Sequence, residues 1–151
     1  MYALRHAIRW IACIALAVAA AGCASTQMAS PEEDAQAKRF TVPEGKSRIY
    51  VYRNETFGGA IKIALALDGK MMGSTAPKTY FAWDVSPGRH EITCMGENNI
   101  KLTVDAPSGG AVYVWQEMKM GMLSAGCALN LVDGTTGRAG VMDCNRAQSM
   151  Q

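Results

Sequence analysis

Between Ile61 and Asp68 the chain alternates without a break, with Ile61, Ile63, Leu65 and Leu67 on one side and Lys62, Ala64, Ala66 and Asp68 on the other. Successive side chains of a strand point to opposite faces, so this pattern builds a half-buried strand rather than a helix stripe. Asp68-Gly69 follows directly. Both residues tolerate the positive φ that tight hairpin turns require, so the chain turns back into a return strand over Lys70 to Ser74. The same alternation recurs elsewhere. Ile49 and Val51 oppose Tyr50 and Tyr52, Phe81, Trp83 and Val85 share a face, and so do His90, Ile92 and Cys94, then Ile100, Leu102 and Val104. Pro87-Gly88, Asn98-Asn99 and Pro107 to Gly110 separate them, and two longer segments follow, Ala111 to Met122 and Leu123 to Val132. Short strands so punctuated predict an all-β domain over residues 46–145, a single antiparallel β-sandwich of about seven to nine strands. Gly137 to Cys144 suits either a strand or a short helix, and residues 146–151 read as a tail.

The N-terminal region follows a different logic. Arg5, His6 and Arg9 precede an uncharged apolar run from Trp10 to Ala21. A basic start, a short apolar stretch and small residues make the layout of a secretory signal. A membrane-spanning helix needs about 20 apolar residues, more than this run supplies. The run ends Ala20-Ala21-Gly22-Cys23, which resembles the lipobox of bacterial lipoproteins, where small residues precede an obligatory cysteine. Ala20 stands where that pattern usually has Leu. The resemblance implies a signal over residues 1–22 and a thioether to diacylglycerol, with further acylation of the palmitate type, on Cys23. The alternative is an ordinary signal cut near Ala21, with Cys23 a free thiol. Ala24, rather than Asp, follows the cysteine, and by resemblance to the enterobacterial lipoprotein sorting pattern this implies the periplasmic face of the outer membrane. Residues 23–45 then form a lipidated tether. Within it Ser30-Pro31-Glu32-Glu33 carries a capping box with Pro in the first turn, so one or two helical turns are expected there.

Removing the signal changes what composition means. Of 15 basic residues, Arg5 and Arg9 leave with it, and the 13 that remain balance 13 acidic ones. With no basic cluster to neutralise phosphates, no nucleic-acid partner is expected. Cys13 leaves with the signal and Cys23 takes lipid, so Cys94, Cys127 and Cys144 enter an oxidising compartment. Cys127 and Cys144 lie symmetrically about Asp133-Gly134-Thr135-Thr136-Gly137, and if that run is a hairpin turn they face each other as a disulfide pair. Three buried apolar thiols are the alternative.

Little in the mature chain points to catalysis, and neither a cofactor nor an enzyme is expected. His90 is its one histidine, placed after a Pro-Gly turn, and reads as a hydrogen-bonded structural residue. There is no Gly-x-Ser-x-Gly elbow, no Cys-x-x-Cys pair and no phosphate-cradling glycine loop. Asp84, Glu91, Asp105 and Glu117 could meet across strands, although opposed charges on a solvated sheet face are the commoner arrangement. Met118, Met120 and Met122 alternate, and thioethers are soft ligands suited to Cu(I). They are the candidate copper ligands, against the opposing and weightier reading that they are core residues, since Met fills irregular gaps beneath a strand.

A wider resemblance covers about Ala37 to Cys144. Ala37-Lys38-Arg39-Phe40, Ile49-Tyr50-Val51-Tyr52-Arg53, Phe57-Gly58-Gly59-Ala60, Leu67-Asp68-Gly69-Lys70 with Gly73, Thr79-Tyr80-Phe81 and Val85-Ser86-Pro87-Gly88-Arg89-His90 carry it. Their order resembles the bacterial lipoprotein family called domain of unknown function 2846. The part from the Asp-Gly-Lys hairpin to the Pro-Gly-x-His turn is also similar to extracytoplasmic β-sandwich modules named after a Pro-Glu-Gly-Ala motif. The family implies no reaction, cofactor or catalytic residue. The expectation is therefore a non-catalytic envelope lipoprotein, anchored to a membrane through its lipid and binding an envelope protein or a cell-wall component. A periplasmic Cu(I)-binding protein is the alternative, and an enzyme of unknown type a further one. Lys62, Lys70 and Lys78 would face solvent, and Tyr50, Tyr52, Tyr113 and Trp115 would supply contacts if exposed.

Overall fold

The computed structural model describes residues 26–59 and 61–150. Along the chain run α1 (Pro31–Ala37), β1 (Ser47–Arg53), β2 (Ile63–Leu67), β3 (Lys70–Thr75), β4 (Thr79–Val85), β5 (Gly88–Met95), β6 (Ile100–Ala106), β7 (Ala111–Met120), β8 (Ala125–Val132), α2 (Gly134–Met142) and β9 (Asn145–Arg146). The strands form two sheets, one in the order β8-β7-β1-β4-β9 and the other β3-β2-β5-β6. The second is antiparallel throughout. In the first, β1 lies parallel to β7 and β4 parallel to β9, which corrects the purely antiparallel expectation. The reason is connectivity. The chain changes sheets after β1, β3, β4 and β6, so β7 re-enters the first sheet from the end where β1 began.

The alternating strands fill the space between the sheets. Ile49, Val51, Phe81, Trp83, Val112 and Val114 from one sheet pack on Ile63, Leu65, Ile92 and Val104 from the other. Burial of this kind contributes about 25 cal/mol per Å² of apolar surface removed from water.

The other face of the five-stranded sheet is also buried. Tyr50, Tyr52, Tyr80, Tyr113 and Ala82 form a second core with Ala37, Val141 and Cys144 under the two helices. Tyr50 and Tyr113 stack with centroids 5.1 Å apart, and the Tyr50 hydroxyl donates to the Ala37 carbonyl at 2.7 Å. Tyr50, Tyr52 and Tyr113 are contact candidates only if exposed, and their burial rules that role out in favour of a second buried face. Trp115 is only partly buried and packs against the same cluster. Helix α2 fits because its packed positions lack side chains. A Cβ on Gly137 would overlap the Tyr113 ring, and one on Gly140 the Tyr52 ring. The Asp133 carboxylate caps the helix, accepting from the Thr135 and Thr136 amides at 2.8 and 3.0 Å. Asp133 to Gly137 is therefore a helix start and not the hairpin turn suggested by the sequence.

Both ends of the described segment belong to the fold. Ser30 and Glu33 make the expected capping box at α1. Upstream of it, the Thr26 hydroxyl donates to Ser74 O at 2.9 Å, Met28 bridges to Ala147, and the Ala29 amide donates to Arg146 O at 3.0 Å. From Thr26 on, the segment expected as a free tether is docked. Residues 147–150, expected as a tail, close the open side of the sandwich. Ala147 N donates to Tyr80 O and Met150 N to Met72 O, both at 2.8 Å, tying β4 of one sheet to β3 of the other.

Candidate functional site

Cys23, the expected lipid site, lies outside the described residues. Of the other cysteines, the structure joins Cys94 of β5 to Cys127 of β8 and leaves Cys144 a buried free thiol, which corrects the expected Cys127–Cys144 pair. The physical reason is that Cys94 and Cys127 both point between the sheets, whereas Cys144 belongs to the tyrosine core. Beside the bridge, Gln116 Nε2 donates to Cys94 Sγ at 3.3 Å, and the Thr75 hydroxyl lies 2.6 Å from Gln116 Oε1. Burial pushes the Cys144 thiol up to about 12, and its Sγ donates to Arg53 O at 3.5 Å. A thiol so protonated is a poor nucleophile and metal ligand.

Arg53 ends β1 with its guanidinium fully buried. It donates to Ile61 O at 2.8 Å and to Phe57 O at 2.7 Å, and its Nε lies 3.3 Å from Glu55 Oε1. The same Glu55 oxygen accepts the Met118 amide at 2.6 Å, while Met118 Sδ lies 3.4 Å from Arg53 Nη2. Burial lowers the Arg53 pKa, against the opposing pull of the Glu55 carboxylate. The cation thus clamps the segment that follows β1 onto β7. Met118 is part of this clamp and of the inter-sheet core, whereas Met120 is 75% and Met122 95% exposed. The three candidate copper ligands occupy two different environments. Among the described residues, no group of three or more His, Cys, Asp or Glu side chains is arranged to hold a metal ion.

His90 is held at both ring nitrogens. Nδ1 lies 2.6 Å from Asp68 Oδ2 and Nε2 lies 2.8 Å from Ser86 O. Two acceptors favour the doubly protonated ring. Partial burial opposes the charge, but the Asp68 and Ser86 oxygens outweigh it and raise the pKa. Burial likewise acts upward on the Asp68 carboxyl, and His90 together with the Glu91 amide brings it below its usual value. This cluster locks the β2–β3 turn to the start of β5. The four carboxylates that might have met are apart, each with its own cation: Asp84 with Arg48, Glu91 with Lys101, Asp105 with Arg89 and Glu117 with Lys119.

Among the described residues, the most exposed large apolar side chains stand on the turn between β7 and β8. Met122 is 95% and Leu123 94% exposed. The turn is nonetheless built. One carboxylate, Glu97, accepts the amides of Met122, Leu123 and Ser124 at 3.2, 3.0 and 2.9 Å, and these bonds lower its pKa. A Cβ on Gly121 would overlap that carboxylate. Sequence reading missed this arrangement, since Glu97 before Asn98-Asn99 looks like any solvated turn residue. Only the meeting of two turns gives it a role.

Residues 43–128 match the family described as protein of unknown function (DUF2846). The match runs from just before β1 into β8 and so takes in both bridged cysteines, the Arg53 clamp and the Glu97 turn. An uncharacterized protein of Haemophilus influenzae is 34% identical over 138 residues, covering 90% of this chain and 82% of the relative. No solved structure matches. With its nine strands in two sheets and most of its strand residues inside the matched region, this chain belongs to the DUF2846 family of proteins of unknown function.

Proposed function

We propose that the chain is an envelope lipoprotein, held by acyl chains on Cys23 at the periplasmic face of the outer membrane, whose folded domain is a non-catalytic binding or structural module. The observation that carries this reading is Ala20-Ala21-Gly22-Cys23, placed where the apolar run stops. The use made of the polar side chains supports it. His90, Arg53, Glu55, Glu97 and Cys144 each hold a turn, a strand end or a packed face. The similarity of the central hairpins to Pro-Glu-Gly-Ala type modules supports a binding role, with an envelope protein or cell-wall component as the partner. Two or more acyl chains on one cysteine suffice for lasting attachment, since each buried methylene contributes about 0.8 kcal/mol.

Two measurements test the reading. Intact mass of the protein purified from membranes is expected to show a chain starting at Cys23 and carrying diacylglycerol and a further acyl chain. Substituting Cys23→Ser is expected to abolish palmitate labelling and release the protein from membranes. A mature chain starting elsewhere, or carrying no lipid, overturns the anchor. Crosslinking in the native envelope is expected to recover one specific component, and recovery of none counts against the binding role.

A further inference from the structure

We propose that one end of the sandwich faces the bilayer, and that Met122 and Leu123 on the β7–β8 turn seat in its headgroup boundary beside the lipid of Cys23. This inference rests on the lipid anchor of the preceding section.

Chain length supplies the first support. Thr26 is already docked, its hydroxyl on Ser74 O. Only three residue steps separate it from Cys23. An extended chain spans at most about 3.6 Å per residue, so the acylated cysteine lies within roughly 11 Å of Thr26. A leash of some twenty flexible residues would reach about 25 Å and leave the domain free to turn. Three residues leave it close to the surface, with the side that carries Thr26 nearest.

Strand direction says which end that is. Thr26 binds Ser74, one residue before β3 ends, and lines a cavity of about 370 Å³ with Lys62, which directly precedes β2. Ile63 pairs with Thr75 and Ala64 with Met95, so β2 begins where β3 and β5 end. The Glu97 amide, just past β5, donates to Ala125 O at 2.9 Å, at the start of β8. The exit of the lipidated segment and the 121–124 turn therefore share one end. Between them lies the segment after β1, where Phe57 is 57% exposed.

The chemistry of that end fits a lipid boundary. Large exposed apolar side chains at one place on a soluble domain mark an interaction surface. Here the Glu97 carboxylate fixes the turn from within, so Met122 and Leu123 are presented without cover. At the opposite end the turns Asp68-Gly69, Ser86-Pro87 and Pro107 to Gly110 carry no large apolar side chain, and Leu131, near the end of β8 there, is 61% exposed, well below Met122 and Leu123. A bilayer is the one partner that the anchor itself delivers to this end.

The test places a tryptophan at either end of the lipidated protein, by Leu123→Trp or by Ser108→Trp, in phosphatidylethanolamine–phosphatidylglycerol vesicles with acyl-brominated lipid. The expected result for Leu123→Trp is a blue-shifted added emission that brominated lipid quenches, with neither change for Ser108→Trp. Equal exposure of both to aqueous iodide overturns the proposal. So does shielding of position 123 that occurs in native envelopes but not in pure lipid, because the cover is then a protein. Intact mass is read on the same samples. A chain without lipid fails the anchor reading, whereas a lipidated chain with an exposed turn fails only the orientation.

Discussion

The two faces of the five-stranded sheet are buried by different means. The face toward the second sheet is packed mainly by Ile, Val and Leu, with Phe81 and Trp83 among them, and tied by the Cys94–Cys127 bridge. The outer face is paved with tyrosines and covered by two short helices that bring glycine and alanine to it. A sheet can cover a sheet with branched side chains because both surfaces are pleated. A short helix over aromatic rings needs an almost bare surface, so its tolerance lies in what is absent. The faces should therefore fail differently, the inner one to lost volume and the outer one to added volume.

Substituting Met118→Ala tests the inner face first. It removes a buried side chain from the core and from its contact with Arg53 Nη2, and should cost about 2–5 kcal/mol in denaturant unfolding. Replacing Cys94 and Cys127 together by Ala should cost about 2–4 kcal/mol, because the bridge closes a loop with a sequence separation of 33. Peptide mapping of the unreduced protein should find those two linked, and Cys144 should react with alkylating agents only after denaturation. A Cys127–Cys144 peptide would refute this pairing.

On the outer face the sign reverses. Ala is the better helix former, by about 1 kcal/mol over Gly, so Gly140→Ala on an uncovered helix should stabilise. Here the new methyl overlaps the Tyr52 ring, and the expected outcome is a loss of about 1–3 kcal/mol. Restoring room with Tyr52→Leu in the same chain should recover part of it, which a double-mutant cycle on thermal unfolding would measure.

The His90–Asp68 cluster lies outside both cores and should be worth less, at most about 1 kcal/mol, since Asp68 is half exposed and solvent screens the pair. Its pH dependence has a definite sign. The His90 pKa is raised above 6.5, so its contribution is complete below that value and fades as pH rises through the folded pKa. Asp68 is lowered from 3.8, so its contribution holds above that value and fades as pH falls through its folded pKa. The deficit of His90→Gln should be widest between those limits and shrink as pH rises through the folded His90 pKa. A deficit that grows with pH would contradict the charged ring.

How much of this was legible depends on the face. Ile49, Val51, Leu65 and Ile92 announce the inner core because period two sets large aliphatic side chains apart from neighbours of another kind. Tyr50, Tyr52 and Tyr113 do not announce theirs, since tyrosine suits a wet face as well as a covered one. Helix α2 was legible only as one of two alternatives, a strand or a short helix over Gly137 to Cys144, for the same reason that it packs. Gly134, Gly137 and Gly140 leave no apolar stripe to give a period, and Asp133 reads equally as a turn residue and as a cap. The disulfide was misread through that one ambiguity, because symmetry about a turn means nothing once the turn is a helix start. The β7–β8 turn was hidden differently. Ala111 to Met122 reads as one strand, and only the contact with Glu97 marks where it ends.

The smallest expected effect sharpens the comparison most. Met118 and Met122 are the same residue type four residues apart, one inside β7 and the other on the turn that follows it. Within a folded sandwich their energetic roles follow from cover alone. Met122 is 95% exposed, so Met122→Ala removes almost nothing from the interior, and the bonds that shape its turn come from its backbone. Surface changes of this kind stay within about 0.5 kcal/mol. Unfolding midpoints of the lipid-free chain should thus be indistinguishable from wild type. A measurable loss would mean that the thioether packs against the domain, and would remove the reason for seeking its cover in the membrane.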